Sequence, residues 1–112
     1  MRVLFVSSYP HLPDVTGGLQ TTTHDLCLAI RELGAEAAVL CGQAEAAGAD
    51  APFSRDERLG YPVLRATRPL EALPQAVAAW EPDAIVVQSG TYLSSLVLAS
   101  LDTGRPTAVY LH

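Results

Sequence analysis

Short apolar runs alternate along the chain with longer stretches in which apolar residues recur every three or four positions. Val3 to Val6 is apolar throughout and turns polar at Ser7. A run apolar on both faces fits a parallel strand covered by helices on both sides. Leu19, Thr22 or Thr23, Leu26, Ile30 and Leu33 then form one stripe of a helix, and Gly34 stands where a C′ glycine ends it. Further strands are predicted at Ala37–Cys41, Pro62–Ala66, Ala84–Gln88 and Thr107–Leu111. Leu70, Leu73, Val77 and Trp80 carry a second helix, and Leu93, Leu96, Val97 and Leu101 a third. Pro69 and Pro74 both suit helix starts, so the second helix is expected to be broken. Ser89-Gly90-Thr91 predicts a tight turn with capping residues before the third helix. Gly42 to Gly60 holds small residues, Pro52 and the cluster Arg55-Asp56-Glu57-Arg58, and reads as a long, solvated surface loop.

This alternation predicts an α/β fold. It is a Rossmann-like three-layer sandwich with a mostly parallel sheet. Right-handed crossovers and a reversal after the third strand give the order 3-2-1-4-5. The chain shows no internal repeat. At 112 residues it is one domain at most.

Composition narrows the partners. Hydrophobic residues make up 49% and charged residues 17%, which suits a packed domain and excludes a disordered chain. The net charge is −5, with no Lys and scattered Arg. Nucleic acid is therefore not expected as a partner, because phosphate backbones need clustered cations. The first apolar run is too short for a signal-peptide core or a membrane span. A cytoplasmic place follows, with a peripheral site at the inner membrane face left open. Cys27 and Cys41 form no C-x-x-C pair and read as buried free thiols, and no metal site is expected.

In such sheets ligands bind beyond the carboxyl ends of the strands, at the switch point between strands one and four. Three segments converge there: Ser7 to Gly18, Gln88 to Thr91, and His112. Glycines at a helix start let backbone N–H groups approach an anion, so Gly17-Gly18 could receive a phosphate or could merely shape the turn. The dinucleotide fingerprint is absent, because the loop runs about ten residues before Gly17 instead of turning at once. An acidic residue is also missing after strand two, where Cys41-Gly42 stands. The phosphate-binding pattern ending in Lys fails because there is no Lys.

The segments Arg2–Pro10, Gly17–Leu26, Ile30–Gly34 and Val39-Leu40 together resemble the start of family 4 glycosyltransferases of the GT-B fold. Glu81–Gln88 resembles their fourth strand, and Pro106–His112 their fifth. The resemblance implies transfer of a sugar from a nucleotide-sugar donor to a sugar, lipid or small-molecule acceptor, with retention. It implies a two-domain enzyme whose amino-terminal, acceptor-side domain is this chain. In that frame Gly17 and Gly18 meet the donor diphosphate, and His112 lies at the reacting sugar as the catalytic residue. No cofactor is implied, the nucleotide-sugar being a substrate, and no metal.

Around these positions, His11, Asp14, Gln20, His24, Gln88, Ser89 and Gly90 are candidates for the acceptor side. Gln88 departs from the histidine that many members carry near this point; it can hydrogen-bond a hydroxyl but cannot act as an acid or base near neutral pH. The family's donor site also uses a glutamate pair spaced E-x7-E in a second domain, and no two Glu here have that spacing. The domain is therefore expected to be truncated, and the fragment alone inactive. The alternative is a non-catalytic Rossmann-like module that binds a nucleotide or another ligand. A nucleotide-cofactor enzyme is weakened by the missing fingerprint.

Overall fold

The structure is a computed structural model that describes residues 1–43, 52–88, 90 and 92–111. Its elements run β1 (Arg2–Pro10), α1 (Gly18–Glu32), β2 (Glu36–Gly42), β3 (Ser54–Asp56), β4 (Val63–Ala66), α2 (Pro69–Trp80), β5 (Ala84–Gln88), α3 (Leu93–Asp102) and β6 (Thr107–Tyr110). They form one sheet in the order β3-β4-β2-β1-β5-β6. The β1–β2, β2–β4, β1–β5 and β5–β6 pairs are parallel. The fold is thus the expected Rossmann-like α/β type, and the five expected strands take their expected order.

The departure lies at one edge. β3 is an additional strand, antiparallel to β4, within a stretch expected to be loop. Its residues are polar, and two of the three are exposed, so no apolar alternation announces it. Pairing with β4 holds it, and Gly60, at φ +96°, gives the chain the left-handed residue it needs to reverse between the two strands. Other corrections are local. β1 does not stop at Ser7 but continues to Pro10, which pairs with Gly42 after a register shift. α2 is a single helix with Pro74 inside it. α3 starts from Tyr92, which is left-handed at φ +62° and gives no side-chain cap.

Successive strand residues point to opposite faces, and this divides the core in two. Leu4, Val6, Leu40, Leu64, Ile85 and Val87 pack on the side of α2 and α3, around Leu73, Trp80 and Leu96. Phe5, Val39, Cys41, Tyr61 and Val63 pack on the other side with Cys27 of α1. Trp80 is core, as its place in the apolar stripe predicts. Both cysteines are free, and burial pushes each thiol up to about 12. Gly42 ends β2 because nothing larger fits. A side chain there would meet the Ser8 carbonyl oxygen at 2.6 Å. The acidic residue of a dinucleotide site therefore has no room.

Candidate functional site

The chain leaves β1 at Pro10 and enters α1 at Gly18, and its path between them lies over the α1 side of the sheet. Four side chains hold the first half of this loop. Gln20 of α1 donates through Nε2 to the Pro10 carbonyl at 2.9 Å. His11 Nε2 lies 2.8 Å from the Tyr61 hydroxyl. Arg65 of β4 donates through Nη2 to the Leu12 carbonyl at 2.5 Å and through Nη1 to Asp14 at 3.5 Å. The same hydroxyl of Tyr61 lies 2.8 Å from Nδ1 of His24. One hydroxyl proton serves both rings, so Tyr61 donates to one imidazole and accepts from the other. Because His11 engages through Nε2 and His24 through Nδ1, the two neutral rings share one tautomer: both Nδ1–H if Tyr61 donates to His11, both Nε2–H if it donates to His24.

Burial sets the electrostatics here. Tyr61 is 0% exposed and His11 is 3% exposed. Desolvation, then the nearby Arg65 and His24 charges, lower the His11 pKa to about 4. Desolvation raises that of Tyr61 well above the usual phenol range. Arg65 is almost as deep, with its side chain 7% exposed, and donates through Nε to Asp56 at 2.8 Å. Burial is the largest single influence and works against both charges, but their mutual hydrogen bond and the surrounding charges, with Arg58 also bonding Asp56, together outweigh it: Asp56 is held below the carboxylate range and Arg65 above its own.

The glycine pair follows this clamped stretch. Gly17 is the residue before the helix, with extended backbone at φ −158° and no side-chain cap. Neither glycine is left-handed, so backbone conformation does not demand them. A Cβ at Gly17 would meet Gln20 Oε1 at 2.9 Å, whereas a Cβ at Gly18 would meet nothing within 4 Å. The first backbone bond of α1 runs from Thr21 N–H to the Gly17 carbonyl at 2.9 Å. The N–H groups of Gly18, Leu19 and Gln20 thus point out of the helix start, with no acceptor among the described residues.

A separate cavity of about 350 Å³ opens on the α2 and α3 side, lined among others by Ser8, Thr67, Arg68, Leu70 and Tyr92. It lies beyond the carboxyl ends of β1 and β4, where the helix starts of α2 and α3 meet. Gly90 lies beside it in sequence and is tightly covered. Its φ is +151°, and a Cβ would meet Cε2 of Tyr9 at 2.7 Å.

The expected site residues separate accordingly. His11, Asp14, Gln20 and His24 come together, but as the framework of the loop. Gln88 is turned inward and donates to the Thr23 hydroxyl. Ser89 and His112 lie outside the described residues. Tyr61 and Arg65 have no place among the sequence candidates, and Asp56, expected only as part of a solvated cluster, is instead bonded to the buried Arg65. A signal existed for Arg65: a charge inside a short strand otherwise built of Val63, Leu64 and Ala66 must find partners if it is buried.

Residues 17–112 match the family of glycosyl transferase 4-like domains. The chain belongs to that family. The match begins at the first glycine of the pair and covers every element from α1 to β6. No curated protein matches the chain. A glycosyltransferase domain implies a sugar donor and an acceptor as partners. Among the described residues no helix is long and apolar enough to cross a membrane. Among the same residues this glycosyltransferase domain holds no cluster of three or more metal-ligating side chains.

Proposed function

We propose that this domain is the acceptor-side half of a two-domain retaining glycosyltransferase that moves a sugar from a nucleotide-sugar to a sugar, lipid or small-molecule acceptor. The open start of α1 carries the reading. Gly18 leaves space at the helix end, three N–H groups face outward, and no carboxylate stands in the first turn. A helix end of this kind favours an anion through its dipole and its unpaired donors. In the reaction the departing group is a nucleoside diphosphate, whose charge grows as the sugar bond breaks. Backbone donors fixed before the step would stabilise that charge without reorganising.

The acceptor would occupy the cavity on the opposite face. Ser8 and Thr67 bring hydroxyls to it, Arg68 a cation and Tyr92 a ring. Tyr92 is held left-handed at φ 62°, a conformation that costs a non-glycine residue about 1–2 kcal/mol and is found preferentially at sites of function. His112, by family resemblance, would lie near the reacting sugar.

The test uses the full-length protein and a panel of uridine-, guanosine- and adenosine-diphosphate sugars. Release of nucleoside diphosphate in the presence of an acceptor supports the reading, and the product's anomeric configuration, read by NMR, reports retention. Gly18→Val, which fills the space at the helix end, should abolish turnover while leaving the fold intact. Binding of nucleotide without any transfer would favour a non-catalytic module. The 112 residues alone should turn nothing over; submicromolar binding of a nucleotide-sugar to them by calorimetry would contradict the assignment of donor grip to a second domain.

A further inference from the structure

We propose that Arg65 is a positioning residue for the Gly17-Gly18 loop, acting through Leu12 and Asp14. The inference rests on the reading of that loop as the diphosphate site, and it assigns the control of its geometry to a residue that does not itself touch the donor.

A buried guanidinium is an expensive component. Taking such a charge out of water costs several kcal/mol, and an apolar residue of similar volume often packs there at no loss of stability. Val63, Leu64 and Ala66 show that the surrounding strand is otherwise apolar. What Arg65 gains in place of packing is a set of three partners from two separate elements. Asp56 comes from β3, and Leu12 and Asp14 come from the loop. The planar guanidinium can hold all three at once, which an ammonium cannot do in a fixed geometry. Asp56 holds Nε and so fixes the direction in which the two Nη groups point. The edge strand β3 therefore orients Arg65, and Arg65 orients the loop.

The loop needs such a hold. Pro13 to Thr16 is exposed, so this stretch has little packing to define it. Tyr61 and Gln20 hold only its first two residues, Pro10 and His11. The Asp14 and Val15 N–H groups bond the His11 carbonyl and close a turn within the loop, and among side chains Arg65 reaches furthest toward the glycine pair, at Asp14. Its loss would let the span from Leu12 to Gly17 swing, and the N–H groups of α1 would no longer be presented beside a fixed chain.

Hydrogen exchange of the full-length protein, followed by mass spectrometry with and without inorganic pyrophosphate, tests this. In Arg65→Met, peptides covering Leu12 to Gly18 should exchange about tenfold faster. Protection of the glycine pair by pyrophosphate should be lost. Peptides from β1 and β5 should exchange as in the wild type, an outcome that a general packing defect would not give. Arg65→Lys keeps the charge without the fork and should be intermediate in both readouts; it decides the matter if Arg65→Met does not fold. Unchanged loop exchange in the folded variants overturns the proposal. Absence of pyrophosphate protection in the wild type would instead overturn the diphosphate reading, and the loop exchange rates would still decide the role of Arg65.

Discussion

Gln88 donates through Nε2 to the Thr23 hydroxyl at 2.5 Å, tying the carboxyl end of β5 to the middle of α1. Thr23 in turn donates to the Leu19 carbonyl at 2.8 Å, so its single proton is committed and it can only accept from Gln88. Gln88 is therefore a structural tie between β5 and α1. Gln88→Ala should lower stability by about 2 kcal/mol, from a lost buried hydrogen bond and a cavity. Urea unfolding followed by circular dichroism measures this, and the acceptor's KM should stay within twofold of wild type.

His11 makes stability depend on pH in a defined window. Its pKa falls from 6.5 unfolded to about 4 folded, so between these values the unfolded chain binds more protons. Stability is then full above about pH 6.5 and is lost as pH falls toward 4. The loss amounts to as much as about 3 kcal/mol for a shift of this size. Asp56, held below its ordinary 3.8, adds a further loss only at lower pH. His11→Gln should flatten the denaturation midpoint between pH 4 and 6.5, as a series of urea titrations would show.

Gly90 and Tyr9 should be coupled. Gly90→Ala places a methyl against the Tyr9 ring in a backbone conformation that disfavours side chains. A loss of about 1–3 kcal/mol is expected. Tyr9→Ala removes the steric part and leaves the backbone part. The double variant should thus be more stable than the sum of the singles by at least about 0.5 kcal/mol. Strict additivity would contradict the contact.

Pro74 offers the opposite sign. It is exposed, lies inside α2 and gives no N–H to the turn before it. Pro74→Ala supplies that donor and removes the clash of the ring with the preceding turn. The gain is offset in part by a freer unfolded chain. Melting followed at 222 nm should show stabilisation by about 1–2 kcal/mol.

The main strands were legible because each is an apolar run bounded by polar or turn residues, and α1 because its stripe is closed by Gly34. β3 was not legible, since Ser54, Arg55 and Asp56 carry no apolar face and owe their conformation to pairing alone. α2 was misread as broken because Pro74 is a poor helix residue by local preference, while burial of Leu73, Val77 and Trp80 overrides that preference. The histidines were legible as unusual residues near the ligand end of the sheet. Their shared partner was not, because Tyr61 is distant in sequence and meets them only when β4 lies beside β2.

The separation of the core into two faces bears on how such a domain can change. The glycine loop and its clamp occupy the α1 face, and the cavity occupies the α2 and α3 face. The sheet separates the two sets of side chains, while both lie at the carboxyl ends of its strands, where donor and acceptor would have to meet. If the cavity takes the acceptor as proposed, residues 67–71 and 92–96 could be exchanged for those of another acceptor preference without rewriting the side chains that hold the loop. Donor grip and acceptor choice would then be open to selection, or to engineering, one at a time.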